Sequence, residues 1–148
     1  MSEEPKLKEG REILPVWFRR VWKEEDPNAI DEMFAPECRV MGLGLQPLIG
    51  PEDFKVFHER FCKIYENIDV TIDKCIQEED WTSALCTMHA RIKATGEEVV
   101  MTGNVFFRVK DGLIQEGYDH FDFMGLWEQM GYLPLDCFEK GLCGQRIA

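Results

Sequence analysis

The chain has 148 residues, of which 45% are hydrophobic and 30% are charged, and its formal net charge is −11. This length and composition are typical of one globular domain that is large enough to bury a core. The acidic balance argues against nucleic acid and against an anionic membrane as partners, because both require a basic footprint on the protein.

The sequence favours a cytoplasmic location. No apolar run approaches the roughly 20 residues of a membrane-spanning helix. Residues 1–5 are polar and acidic and lack the apolar core of a signal peptide. The six cysteines match no zinc-binding spacing, which favours free thiols in a reducing compartment. We therefore expect a cytoplasmic protein with a single domain over 1–148, of which about residues 1–6 are disordered.

The first half of the chain predicts three helices. Apolar residues recur at three- and four-residue spacing over 7–25, where Pro15 either opens the helix or kinks it. Asp26 is the expected N-cap of a short helix over 28–34. A short strand and a loop rich in glycine and proline follow, and a third helix is predicted over 51–67.

The second half changes to the alternating pattern of β-strands. Lys110-Asp111-Gly112 indicates a tight hairpin between the last two strands. Helices followed by a run of strands indicate an α+β fold, in which a curved sheet wraps around the helices and leaves a cavity at its open end. The strands are predicted over 70–77, 84–93, 99–109 and 113–123.

The last strand carries the candidate catalytic residues. Alternation puts Tyr118, His120 and Asp122 on one face and Asp119 on the other. Burial raises the pKa of a carboxyl group, and a base works best when its pKa lies near the working pH. The hairpin register decides which face lines a cavity. We favour the face of Tyr118, His120 and Asp122, although Asp122 also fits the N-cap of a following helix.

Several other side chains are candidates for substrate binding. Asn104, on the neighbouring strand, either orients a substrate carbonyl or lies on the outer face of the sheet. Large apolar residues form the core and are expected to supply the walls of any cavity. No metal site is expected, because the three histidines form no H-E-x-x-H motif. The expected cavity residues are Trp17, Phe18, Phe57, Phe61 and Met88.

Residues 102–131 read TGNVFFRVKDGLIQEGYDHFDFMGLWEQMG. This segment resembles the C-terminal signature of SnoaL-like polyketide cyclases, a branch of the NTF2-like superfamily. That signature has an Arg-x-x-Asp-Gly hairpin, a Glu-x-(Trp/Tyr)-Asp-x-x-Asp strand, and then Gly-Leu and Gln-x-Gly. The matching positions are Arg108, Asp111, Gly112, Glu116, Tyr118, Asp119, Asp122, Gly125, Leu126, Gln129 and Gly131.

The resemblance implies a conical α+β barrel, with three N-terminal helices packed into a curved, mostly antiparallel sheet. It also implies a pocket for a small apolar organic ligand, a homodimer through the sheet, and chemistry without a metal or an organic cofactor. In the polyketide cyclases, an acidic residue on a late strand is the general acid/base of an aldol closure. For this chain we expect proton transfer alpha to a carbonyl, in an aldol cyclisation or an isomerisation. A non-catalytic binding module for a hydrophobic metabolite is the alternative.

Overall fold

Three helical segments form the N-terminal part of the protein. The computed structural model describes residues 7–147, so the disorder expected for residues 1–6 lies outside the described range. The prediction of three helices before the long strands is confirmed. The segments are α1, Gly10–Trp17, which continues into a π-helical turn over Phe18–Lys23; α2, Asn28–Met33; and α3, Gly50–Ile64.

The π-helical turn ties the first helix to α3. Pro15 lies inside α1, where it has no N–H to donate to the preceding turn, and the helix widens directly after it. Within the widened turn, the carbonyl of Val21 accepts a hydrogen bond of 2.6 Å from Nε2 of His58, a buried residue of α3. The Trp22 ring lies 5.0 Å from the ring of His58, so this bond also holds Trp22 against α3.

A curved sheet of six strands packs against these helices. The strands are β1, Phe34–Met41; β2, Leu48–Ile49; β3, Tyr65–Glu78; β4, Trp81–Ile92; β5, Glu98–Lys110; and β6, Leu113–Phe121. Their order in the sheet is β2-β1-β6-β5-β4-β3; β1 runs parallel to β6, and the other neighbouring pairs are antiparallel. The α+β class is confirmed, but the sheet does not close into a barrel.

Two short helices follow β6. They are α4, Phe123–Gln129, and α5, Cys137–Leu142. The side-chain amide of Gln129 donates to the carbonyl of Val100 at 2.7 Å and accepts from its N–H at 3.1 Å. These two bonds satisfy the backbone of β5 beyond the point where β6 ends, and they hold α4 against that edge.

The hairpin between β5 and β6 sets which side chains face the helices. Asp111 and Gly112 both have positive φ angles, 53° and 76°, as a two-residue type I′ turn requires. The register is irregular between Arg108 and Val109, and beyond this point it pairs Val105 with Asp119. Val105 is a buried core residue, so Asp119 points to the same, helix-covered face of the sheet.

Directly after β1, the chain packs at Gly42 against the backbone of Asp119 in β6. Its φ is +98°, and a Cβ atom there would collide with the carbonyl oxygen of Asp119. Both the backbone angle and the close approach therefore require glycine. Gly44, two residues later, has a φ of +114° but open space around it.

We expect Gly42→Ala to lower the free energy of unfolding by about 2–4 kcal/mol, because it adds a collision with β6 to the backbone strain. Gly44→Ala is the matched control, with the strain alone and a loss of about 1–2 kcal/mol. Urea denaturation of the two variants measures the difference. Equal losses would contradict the close packing of Gly42 on Asp119.

Candidate functional site

A partly open cavity lies between the helix-covered face of the sheet and the helices. Its empty space is about 790 Å³ when the open mouth is included. Among the described residues that line it, Asp119 is the one with an ionisable side chain. Aromatic residues from α1, the π-helical turn, α3, α4 and the sheet form much of the remaining wall: Trp17, Phe18, Trp22, Phe34, Phe54, Phe57, Phe61, Phe107, Phe121 and Phe123.

Burial of the lining residues shows which end of the cavity is deep. On α3, Phe54 is buried, whereas Phe57 and Phe61 are half-buried. On β6, Ile114 is buried, whereas Phe121 is half-buried. The mouth therefore lies near Phe57, Phe61 and Phe121, and the floor lies near Phe54 and Ile114.

Stacked aromatic rings close the deep end. The rings of Trp17 and Phe34 are nearly parallel, with centroids 4.9 Å apart. Phe54 meets both rings edge-on, at 5.3 Å from Trp17 and 5.1 Å from Phe34. Edge-to-face and offset stacks of this kind are favourable beyond the area they bury, and they give the cavity a stiff apolar wall.

Asp119 lies between the mouth and the floor. Burial raises the pKa of its carboxyl group to about 7, from an ordinary value of 3.8, and no described hydrogen bond or neighbouring cation offsets this effect. The residue keeps partial accessible surface, which matches a side chain that faces the cavity. At neutral pH, this carboxyl group is present in both the protonated and the ionised form, as general acid/base chemistry requires.

Two buried thiols lie near enough to Asp119 to be affected by its charge. Burial, together with that negative charge, raises the pKa of Cys38 to about 12. Burial also raises the pKa of Cys86 to about 12, with smaller contributions from the negative charges of Asp73 and Asp119. Both thiols are therefore neutral at physiological pH and supply neither a nucleophile nor a second charge to the cavity.

The structure places Tyr118, His120 and Asp122 outside the cavity. The Tyr118 hydroxyl donates a hydrogen bond of 3.2 Å to Glu116, and this bond raises the pKa of Tyr118. His120 is exposed on the outer face of the sheet. Asp122 is the N-cap of α4, where its carboxylate accepts from the N–H of Gly125 at 2.9 Å. The preference for this face of β6 is therefore wrong, because the register turns Asp119 inward.

Five of the six predicted substrate-binding residues line the cavity, and Asn104 does not. Asn104 pairs with His120 across the sheet and is exposed. Its side-chain oxygen accepts a hydrogen bond of 3.2 Å from Ser83, a residue of β4. The structure thus places Asn104 on the outer face, the second of the two positions expected for it. The five lining residues are Trp17, Phe18, Phe57, Phe61 and Met88.

Sequence reasoning missed several lining residues that it had the signals to find. Phe54 precedes Phe57 by three residues on α3, so the helical spacing puts both on one face. Phe121 follows Asp119 by two residues on β6 and therefore shares its face. Of these two, Phe121 depends on which face of β6 is the inner one, whereas Phe54 does not.

Within the described range, no helix has both the length and the apolar character needed to cross a membrane. Likewise, no three His, Cys, Asp or Glu side chains among residues 7–147 come together in a way that could hold a metal ion.

The open curved sheet with helices on one face defines an NTF2-like α+β fold, with an apolar cavity between the sheet and the helices. Residues 17–117 match the family model of the SnoaL-like domain, and the chain belongs to this family. The resemblance seen in the sequence is thereby confirmed. No curated protein sequence matches the chain.

Solved structures support the same fold. TsrD from Streptomyces laurentii is 24% identical, with a TM-score of 0.72 over 83% of this chain and 95% of that one. A candidate SnoaL-like polyketide cyclase from Jannaschia sp. CCS1 is 16% identical, with a TM-score of 0.75 over 90% and 99% of the two chains. IdmH from Streptomyces antibioticus, a candidate polyketide cyclase, is 18% identical, with a TM-score of 0.71 over 82% and 97%. Likeness at these identities establishes the fold.

We expect Asp119→Asn to stabilise the protein at pH 8 by about 2–4 kcal/mol and to have little effect at pH 4. The raised pKa means that the folded state binds the Asp119 proton more tightly than the unfolded state does. Wild type therefore loses stability as the pH rises from about 4 to about 7, and the variant does not share this loss. Urea denaturation across this range measures the difference.

The matched control is Asp122→Ala, which removes a helix cap on the outer side. It should lower stability by about 1 kcal/mol at every pH from 5 to 8. A wild-type and Asp119→Asn difference that stayed constant with pH would contradict the burial of an ionisable Asp119.

Proposed function

We propose that this protein is a small-molecule enzyme in which Asp119 moves a proton alpha to a carbonyl group, in an aldol cyclisation or an isomerisation. The observation that supports it is one carboxyl group with a pKa of about 7 in an otherwise apolar cavity. Family membership is consistent with this chemistry, since similar folds include candidate polyketide cyclases.

The proposed reaction begins when ionised Asp119 removes a proton from the carbon next to the carbonyl group. The resulting carbanion either attacks a second carbonyl carbon of the same molecule, which forms a carbon–carbon bond, or is reprotonated at another carbon. The protonated Asp119 then returns its proton to the new alkoxide or to that carbon. No net proton is gained or lost, so the carboxyl group is ready for another cycle.

The composition of the cavity restricts the substrates on which this reaction succeeds. Among the described lining residues, none has a cationic side chain that would stabilise an enolate oxygen. The substrate therefore has to delocalise that charge itself, through a second carbonyl group or an aromatic ring. The aromatic walls suit a flat apolar molecule of this type.

A non-catalytic binding protein is the second candidate function. It is favoured by the same lack of a second ionisable group in the cavity, because most acid/base sites combine a base with a group that stabilises the developing charge. In that case Asp119 would orient a ligand by a single hydrogen bond.

We also propose a homodimer that forms through the outer face of the sheet. The helices cover one face and leave exposed apolar side chains on the other, of which Leu85 is 52% and Phe106 is 42% exposed. Phe106 stacks on Trp81 with ring centroids 4.6 Å apart.

The outward positions that neighbour Phe106 carry the uncharged residues Ser83 and Asn104. They also carry Arg108 and Glu116, whose opposite charges form an ion pair at 3.0 Å. Two copies of this acidic chain can therefore meet there without strong repulsion.

We propose that the protein is located in the cytoplasm. All six cysteines lie in the described range and all are free thiols. Cys75 and Cys143 are exposed. Exposed free thiols are compatible with a reducing compartment.

Deuterium exchange of 2-tetralone in D₂O tests the chemistry, because this bicyclic ketone delocalises its enolate into an aromatic ring. We expect the wild type to accelerate exchange at the carbon between ring and carbonyl, with a rate that falls below about pH 7 as Asp119 becomes protonated. Asp119→Asn should reduce the enzymatic rate by at least about 100-fold. Nuclear magnetic resonance follows the loss of the proton signal.

Asp122→Ala is the control, since it removes a nearby carboxyl group that does not line the cavity. It should keep most of the exchange activity. Equal rates in the wild type and Asp119→Asn would eliminate Asp119 as the base and leave the binding function as the better account.

Phe106→Glu should convert the dimer to a monomer, because it places a charge in the centre of the proposed contact. Sedimentation velocity measures the state. Val56→Glu is the matched control: Val56 is 58% exposed on α3, away from the outer face, and its replacement should leave the dimer intact. A wild-type monomer at micromolar concentration would refute the proposed contact.

A further inference from the structure

Gly117 leaves a space on the inner face of β6, directly beside Asp119. A Cβ atom on Gly117 would lie 4.0 Å from Oδ1 of Asp119, 3.8 Å from Cβ of Phe107 and 4.0 Å from Cγ2 of Val40. These are ordinary contact distances, and Gly117 does not have a positive φ angle. Neither backbone strain nor a collision therefore requires glycine here, in contrast to Gly42.

The space beside Gly117 lies on the deep side of Asp119. Along the inner face of β6, Phe121 and Asp119 are half-buried, whereas Gly117 and Ile114 are buried. Ile114 and Phe107 both line the cavity at this level. A molecule that enters at the mouth therefore reaches the Asp119 carboxyl group first and the space over Gly117 afterwards.

We propose that the cavity takes an elongated apolar ligand whose carbonyl oxygen lies between two hydrocarbon portions, and that Gly117 is the residue that admits the inner portion. This inference rests on the site of the proposed function and deepens it. Asp119 contacts the carbonyl group in the middle of the ligand. The inner portion crosses Gly117 towards Phe107 and Ile114.

The chemistry of the two ends of the cavity sets this ligand class. The lining residues on the deep side of Asp119 are apolar, so a polar group placed there would lose its hydrogen bonds with water and gain none. The half-buried aromatic rings at the mouth accept a second apolar portion. A carbonyl group at the tip of a ligand would match neither end.

Two isomeric ketones, nonan-5-one and nonan-2-one, test the inference because they have the same atoms and differ in where the carbonyl group lies. Titrations at pH 6, where Asp119 is mainly protonated and donates to a ketone oxygen, can be followed by the fluorescence of Trp17 and Trp22 in the cavity wall. We expect the wild type to bind nonan-5-one about tenfold more tightly, since its two four-carbon arms fill both sides of Asp119. Nonan-2-one has to direct its seven-carbon arm to the open mouth and leaves a single methyl group on the deep side.

Gly117→Val should weaken nonan-5-one binding by about tenfold and leave nonan-2-one nearly unchanged, because it fills the space that a four-carbon inner arm uses and that the methyl end of nonan-2-one does not reach. Gly117→Ala should weaken nonan-5-one binding in the same way but by less. It replaces Gly117→Val in this test if the valine variant does not fold. Gly141→Ala is the matched control: Gly141 lies in α5 outside the cavity, and its added Cβ meets one atom at 3.6 Å.

Equal wild-type affinities for the two ketones, no detectable binding of either, or an equal effect of Gly117→Val on both would overturn the inference. These binding results do not depend on turnover. If the ketone preference fails while 2-tetralone exchange still requires Asp119, the proposed enzyme stands and the ligand shape is wrong. If the preference holds without any exchange activity, the cavity has the proposed shape in a binding protein.

Discussion

The burial of one carboxyl group in an aromatic cavity is the constraint on which the candidate site depends. Asp119 has no described partner for its charge, and a pKa of about 7 in place of 3.8 corresponds to about 4 kcal/mol of differential stabilisation of its protonated form. At neutral pH, the burial of Asp119 therefore lowers the free energy of unfolding. A purely structural core would favour an apolar side chain at this position. The buried carboxyl group is therefore the observation on which the proposed chemical role of the cavity rests.

The rest of the fold holds Asp119 in place from several sides. The β5–β6 hairpin pairs it with the buried Val105, and Gly42 lets the chain after β1 pack directly on its backbone. On the opposite side, the π-helical turn and His58 fix the aromatic wall that faces the carboxyl group across the cavity. These contacts come from elements far apart in sequence, so they form only when the sheet and the helices have assembled.

Much of this architecture could be predicted from local sequence patterns. Helical spacing predicted the three N-terminal helices, alternation predicted the long strands, and Asp111-Gly112 predicted the hairpin. The strand β3 begins at Tyr65, five residues before the predicted start at residue 70, because pairing of Tyr65 with Ile92 extends the strand back to the end of α3. Such pairing is a tertiary effect that the local pattern does not contain.

The inner face of β6 could not be assigned from the sequence for a specific reason. Alternation separates Asp119 from Tyr118 and His120, but a single irregularity, between Arg108 and Val109, decides which set points inward. For Asp122, the sequence allowed either a catalytic role or a helix N-cap. Its carboxylate accepts a hydrogen bond from the N–H of Gly125, which shows that it caps α4. The sequence pattern thus pointed to the strand that carries the cavity carboxyl group, but favoured the face that turns away from the cavity.

The most direct measurement of the central claim is the pKa of Asp119 itself. A titration of the protein labelled with ¹³C at aspartate carboxyl carbons, followed by nuclear magnetic resonance and assigned with Asp119→Asn, gives this value without any substrate. We expect one aspartate signal with a midpoint near pH 7 that is missing from the variant. A midpoint near 4 for that signal would show that Asp119 is solvated, and the cavity would then lack its acid/base group.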